Sequence, residues 1–494
     1  MLLGVNTWNH VPWSDELHAW GLTLGSPGFV DLFRNLHYDG HPGLWHSLLW
    51  IASAVSPSPV AMQITHFLLA AATIAVITAW APFRPIEKAL LLANYFLIHE
   101  YTVLARNYGI GLLLALIYAR LRTARAVRPM LVGLILGAMG NANVYAFVLS
   151  GLLALEYAWN GLIATRRLAE AGFARVVAGA VLYAALMLLA VATVWPQPDG
   201  AHFAQQPTAA EMRDPIRFGL QFLRALVPPF LPVDFSFPES FAFPSNIYDN
   251  GKRVWVCLAL APLILGALGW IFRGRPSALA VILATALVAT GFSFVVYPAA
   301  IRHLGIVFIA FVTMLWVTRA EGVASSAARA PVLALLLLGA IGGGVALAGQ
   351  WMRPFAINDQ VVRWLRANDL GDAALVGYPD IRTEAIAILL GRPYYALDCQ
   401  CEARFARFDN RRDDFTEAMI PDRLATAVRL YQPRPIVLLA GDPLPEAQRA
   451  EIQAMGLVLT ERVALTGAER DQAMTIFTVA PLTAASGIDA PGKR

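Results

Sequence analysis

"HEYTVLARNYGIGLLLALIYARLR" (residues 99–122) reads as the junction of two membrane-spanning helices. Residues 107–121 are almost wholly apolar, and a second apolar run, 88–105, precedes them with hardly any loop between. A helix needs about 20 predominantly apolar residues to cross a bilayer, and both runs come near that length. Glu100 and Arg106 lie near the outer ends of these runs. Charge at such depth is costly, so each is a functional candidate by default. The plainer alternative is that they pair with each other.

The rest of the chain has the same texture. Of 494 residues, 57% are apolar and 15% charged, with a mean hydropathy of +0.55. A soluble domain carries about a quarter charged residues. The net charge of +4 would also suit a nucleic-acid binder. The basic residues, however, form short loop clusters rather than one patch, which argues against nucleic acid as a partner. Eight further apolar stretches, at roughly 61–81, 129–145, 147–164, 176–195, 254–272, 278–297, 303–319 and 330–349, bring the spans to ten. The pair between 129 and 164 is parted only by "GNAN" (140–143). Gly133, Gly137 and Gly140 would let it pack closely as one bent, partly re-entrant unit.

Loop charges set the orientation. Alternate loops carry Arg84 and Lys88; Arg120, Arg122, Arg125 and Arg128; Arg166, Arg167 and Arg175; Arg273 and Arg275; Arg319 and Arg329. The other short loops hold only Arg106 and Arg302, so the first set is cytoplasmic. The chain then divides into a first outer loop, 1–60, a membrane domain, 61–349, with its own outer loop 196–253, and an extracytoplasmic tail, 350–494. Ten spans place both ends outside, and "MLLGVN" reads like the last turn of a span. That predicts an eleventh helix ahead of Met1. In the tail, strand-like "AALVGYP" (373–379), "PIVLLAG" (435–441) and "MTIFTVA" (474–480) alternate with helical patterns, as in a small α/β domain. No Gly-rich phosphate loop accompanies them. Three cysteines build no disulfide framework; Cys399 and Cys401 can pair only in a tight loop and read as structural or incidental.

Polar groups concentrate on the outer side. "VPWSDELHAW" (11–20) holds Asp15 and Glu16, and residues 1–60 hold five of the nine histidines together with Asp31 and Asp39. "PGFVDLFRNLHYDGHPGLWHSLLWIAS" (27–53) passes from a charged amphipathic stretch to an apolar one, as a helix lying on a membrane does. "VVYPAAIRHLGIVF" (295–308) opens a late span with Arg302 and His303. Basic residues standing against the charge rule at Arg106 and Arg302 point to a held anion, and a lipid-linked phosphate fits the location.

In order and spacing these motifs resemble the integral-membrane glycosyltransferases of the GT-C fold, in particular the bacterial branch related to protein mannosyltransferases and to lipid A aminoarabinose and galacturonic acid transferases. There an Asp-Glu pair lies in the first loop, a His-Pro-Pro-Leu-like motif opens a juxtamembrane helix, and Arg-X-Tyr lies between two early spans. The matching positions are Asp15–Glu16, His41–Pro42–Gly43–Leu44 and Arg106–Asn107–Tyr108. The resemblance covers almost the whole chain, with Gly43 where a second proline is usual and with the first span missing.

The resemblance implies a polytopic α-helical protein of the bacterial cytoplasmic membrane with an outward-facing α/β domain. It implies inverting transfer of a sugar from a polyprenyl-phosphate donor to a lipid, polysaccharide or protein acceptor. Asp15 matches the family's base; a carboxylate can take the proton of an attacking hydroxyl. Arg106 and Arg302, with Tyr108 and His303 as donors, suit a phosphate that gains charge as it leaves. His41, Asp39 and Glu100 are candidates for positioning the acceptor or the loop. Glu16 has three open roles: orienting the acceptor, holding a divalent metal with a nearby histidine, or pairing with a basic residue. No cofactor is expected, since single scattered histidines lack metal-ligand spacing. A lipid-linked sugar flippase or a polysaccharide polymerase or ligase are the alternatives.

Overall fold

The computed structural model describes residues 2–200, 214–233, 251–296, 300–323, 326–412, 415–441, 443–468 and 473–482. Four short helices open the chain: α1 (Leu2–Asn9), α2 (Ser14–Leu24), α3 (Phe29–Leu36) and α4 (Leu44–Val55). There follow α5 (Pro59–Trp80), α6 (Pro85–Leu92), α7 (Tyr108–Arg122), α8 (Pro129–Gly140) and α9 (Val144–Glu156), which continues as a wider turn to Ile163. Next come α10 (Leu168–Ala171), α11 (Phe173–Val194), α12 (Pro215–Ala225), α13 (Gly251–Ile271), α14 (Pro276–Val295), α15 (Ile301–Ala320) and α16 (Arg329–Met352). Helices prevail because a bilayer leaves backbone N–H and C=O groups no partners but each other.

Among the described residues, α5, extended α9, α11, α14, α15 and α16 are long and apolar enough to cross a membrane, and α4, α8 and α13 are shorter apolar helices. The chain is an integral membrane protein. α15 runs through the middle, buried along nearly its whole length. Most of the segment 196–253 expected outside (201–213 and 234–250) is not among the described residues; within it, α12 takes up part of the amphipathic stretch.

The expected span 88–105 is corrected. α6 stops at Leu92, the Asn94 side chain accepts the Phe96 N–H at 3.0 Å, and Phe96–Glu100 forms one wide turn. Residues 101–107 then run irregularly into α7, almost entirely buried. Irregular backbone at membrane depth is tolerated where protein covers it, and its composition is as apolar as a helix's. The glycines of α8 do permit close packing, chiefly onto α11: a Cβ on Gly133 would stand 2.2 Å from the Gly179 carbonyl oxygen.

The C-terminal region begins with α17 (Asn358–Ala367) and builds one six-stranded sheet. Its elements are β1 (Ala374–Tyr378), α18 (Asp380–Leu390), β2 (Tyr394–Ala396), β3 (Cys401–Ala403), α19 (Ile420–Tyr431), β4 (Ile436–Ala440), α20 (Glu446–Ala454), β5 (Leu457–Thr466) and β6 (Ala473–Pro481). The strand order is β3-β2-β1-β4-β6-β5, with β1 parallel to both β2 and β4. The three strand-like runs of the sequence are β1, β4 and β6, the middle of that sheet. Cys399 and Cys401 are joined by a disulfide leading into β3. α18 lies against α2, and this contact brings the sheet domain to the N-terminal helices.

Candidate active site

α2 starts at Ser14, and its first turn carries Asp15 and Glu16 where acids complement the positive end of a helix. From there the two side chains part. Glu16 is wholly buried. One of its oxygens accepts the Trp13 N–H at 3.2 Å and lies 2.7 Å from His10 Nε2; the other accepts the Ala105 N–H at 2.6 Å. Glu16 therefore ties the start of α2 to the irregular turn before α7, and that turn sets the place of Arg106. Of its open roles, the structure displays a pairing role, with a histidine and two backbone amides. Among the described residues, no group of three His, Cys, Asp or Glu side chains is set to hold a metal ion.

Asp15 stays at the surface of the site, its side chain 23% exposed. Arg106 donates to the Asp15 carbonyl oxygen, and its Nη2 is 3.7 Å from Asp15 Oδ2. Arg302 Nη2 reaches the same oxygen at 3.3 Å, while its guanidinium lies over the Trp13 ring. Tyr101 holds Arg302 from beneath, donating to its carbonyl oxygen at 2.7 Å. That approach requires Gly305, since a Cβ there would stand 2.1 Å from the Tyr101 hydroxyl. The Tyr108 ring lies 5.9 Å from His303, and Tyr145 stacks on His303 at 4.8 Å. His303 Nδ1 accepts the Ala300 N–H at 3.1 Å, which assigns its proton to Nε2. Three separate motifs thus meet around one carboxylate.

Glu100 does not join them. It makes no ion pair with Arg106, and its carboxylate accepts the Tyr95 hydroxyl at 2.6 Å. Asp39 and His41 form a second cluster. Asp39 is flanked by His41 Nδ1 at 3.1 Å, His18 Nε2 at 3.3 Å and His46 Nε2 at 3.5 Å. His18 reaches across to the sheet domain, its Nδ1 2.9 Å from Glu384 Oε2 on α18. Burial opposes charge on His18, but Glu384 and Asp39 outweigh it and raise its pKa to about 10. Burial likewise disfavours the Asp39 carboxylate, yet His41 and His18 hold it well below the ordinary range. Arg106 is within electrostatic reach of His46, so the two clusters are neighbours.

Sequence reasoning passed over Trp13, Tyr101 and Tyr145, since a single aromatic residue carries no signal of its own. It also passed over Glu384. An acid in the apolar run of "DIRTEAIAILL" (380–390) was the available hint.

The fold is the GT-C architecture of polytopic membrane proteins. The particular likeness is to ArnT from Cupriavidus metallidurans in the apo state, 12% identical, over 95% of this chain and 94% of that chain, with a TM-score of 0.50. ArnT from the same organism bound to undecaprenyl phosphate matches at 12% identity over 96% of each chain, with a TM-score of 0.49. No protein-family profile and no curated protein matches the chain by sequence.

Proposed function

We propose that the chain is an inverting glycosyltransferase, moving a sugar from a polyprenyl-phosphate donor to a lipid, glycan or protein acceptor at the outer face of the bacterial cytoplasmic membrane. The observation that carries this reading is the meeting of Arg106 and Arg302 on the single carboxylate of Asp15. The GT-C fold supports it. The Cys399–Cys401 disulfide suits a sheet domain on the oxidising, extracytoplasmic side.

The chemistry follows from the geometry. A phosphate arriving at the two guanidiniums competes with Asp15 for them and frees its carboxylate to act as a base. The acceptor hydroxyl gives its proton to Asp15 as its oxygen bonds to C1 of the sugar. The bond from C1 to the phosphate oxygen breaks, and its electron pair leaves with the phosphate. Arg106 and Arg302 attract that phosphate more strongly as its charge grows, which lowers the barrier. Tyr108 and the Nε2–H of His303 offer further hydrogen bonds beside it. One displacement at C1 inverts it, and no second carboxylate nucleophile is required.

Asp15→Asn tests the reading. Transfer from a labelled undecaprenyl-phosphate sugar pool should fall about 10²–10⁴-fold, the worth of a general base. Binding of undecaprenyl phosphate and the melting temperature should persist. Wild-type transfer rates in this variant would remove Asp15 as the base.

A further inference from the structure

A groove of about 630 Å³ lies between α8, α9 and α11, away from every residue of the candidate site. That size is within the usual range of about 300–1,000 Å³ for small-ligand sites. Val132 and Leu136 form its floor, Leu152 and Leu155 one wall, and Val176 and Tyr183 the other. Leu155 is 69% exposed, so the groove opens on the flank of a helix that crosses the membrane, where the surrounding solvent is lipid.

One end of the groove is basic. Pro129, Val176 and Leu162 line it, and each belongs to an element with an exposed arginine close by. Arg128 precedes Pro129, Arg175 precedes Val176, and Arg166 follows Leu162 by one turn; Arg125 is exposed on the same loop as Arg128. The acid of this rim, Glu170, is already paired with Arg167. These arginines belong to the loops whose charge marks the cytoplasmic side. The positive-inside rule accounts for their side of the membrane, but it does not account for an open apolar groove ending among them.

We infer that the groove holds one acyl chain of an anionic phospholipid of the cytoplasmic leaflet, with the phosphate at the arginine rim. Hydrocarbon is the occupant that apolar walls accept without stranding a polar group. Negative charge is what the rim selects, and a zwitterionic lipid with the same chains satisfies the walls alone.

Native mass spectrometry of the full-length protein, mixed with palmitoyl-oleoyl phosphatidylglycerol or with phosphatidylcholine of the same chains, tests this. One phosphatidylglycerol should be retained per chain, favoured over phosphatidylcholine by about fivefold for each engaged arginine. Gly151 lines the groove, and a Cβ there meets nothing nearer than the Tyr183 hydroxyl at 3.9 Å. Gly151→Leu therefore fills the space with a better helix former, and retained phosphatidylglycerol should drop about tenfold. Arg128→Gln with Arg175→Gln leaves the walls whole and should cut the preference for phosphatidylglycerol over phosphatidylcholine about twenty-five-fold, and an unchanged preference overturns the inference even if Gly151→Leu fails to fold. Three other results overturn the inference: equal retention of both lipids by the wild type, unchanged retention in a folded Gly151→Leu, or a polyprenyl phosphate in place of a phospholipid among endogenous lipids extracted from the protein.

Discussion

Two ionic clusters sit at opposite ends of the helical domain, and they are built differently. At one end, Arg122 meets Glu156 at 3.1 Å and Glu321 at 3.0 Å, and Arg275 meets Glu321 at 3.0 Å. Tyr118 adds a hydroxyl to Glu156 at 2.9 Å. Two guanidiniums face two carboxylates there, and Arg122 and Glu156 are 3% and 2% exposed. At the other end two guanidiniums share one oxygen of Asp15, which is 23% exposed. The Glu156 cluster pairs two guanidiniums with two carboxylates and joins α7, α9, the α13–α14 turn and the end of α15. The Asp15 cluster instead brings both guanidiniums to one carboxylate oxygen beside a partly open surface.

The comparison can be broken from either end. Glu156→Ala takes from buried Arg122 one of its two carboxylate partners, leaving Glu321, and losing hydrogen bonds between charged groups costs about 1.5–3 kcal/mol. The expected result is a steep loss of melting temperature in detergent, with normal transfer per folded molecule. A variant that melts like the wild type would show the Glu156 cluster to be dispensable. Arg302→Ala should do the reverse. Transfer efficiency should fall about 10²–10³-fold, as when one stabiliser of developing charge is removed. Its stability cost should stay near about 1 kcal/mol, as for a partly exposed pair. Arg106→Ala should weaken binding of undecaprenyl phosphate; unchanged affinity in both variants would take the guanidiniums out of the site.

What the sequence displayed, and what it hid, follows the same physics. Arg106 and Arg302 stood out because ionisable groups beside apolar runs are expensive and rarely accidental, whereas Asp15 was singled out by its match to the family's acidic pair. β1, β4 and β6 were visible because buried central strands read as short apolar runs, while β2 and β3, three residues each, are too short for a pattern. Glu16 was grouped with Asp15 by adjacency, yet neighbours on a helix point about 100° apart, and that rotation sends Glu16 into the protein. The break at Asn94 was hidden because buried irregular backbone is as oily as a span. Glu156 carried a legible signal, an acid inside the apolar stretch 147–164, that went unused. Its partners Arg122 and Arg275 registered only as loop charges.

A third ionic contact, smaller than either cluster, sharpens the comparison because it joins two regions instead of closing one. His18 stands between Asp39 and Glu384, 366 residues on from it, a separation no local pattern reports. Its pKa is raised from 6.5 to about 10, so its contribution to holding α18 on α2 is complete below pH 6.5, declines from there, and is gone above about pH 10. Asp39, lowered from 3.8, works in the opposite sense: its contribution is present above that value and is lost as the pH falls through its folded pKa. Docking of the sheet domain should therefore hold at mildly acid pH and loosen toward alkaline pH. Hydrogen exchange on α18 and α2, corrected for the intrinsic rate, should show opening that grows between pH 6.5 and 10. Glu384→Gln removes the strongest support for the His18 charge and should cost about 1.5–3 kcal/mol of local stability at neutral pH, the worth of a charged hydrogen bond. It should also flatten that pH dependence, since a histidine with less negative charge beside it titrates lower. If wild type and Glu384→Gln open alike across the window, the contact is packing alone, and the sheet domain is held by the apolar face of α18.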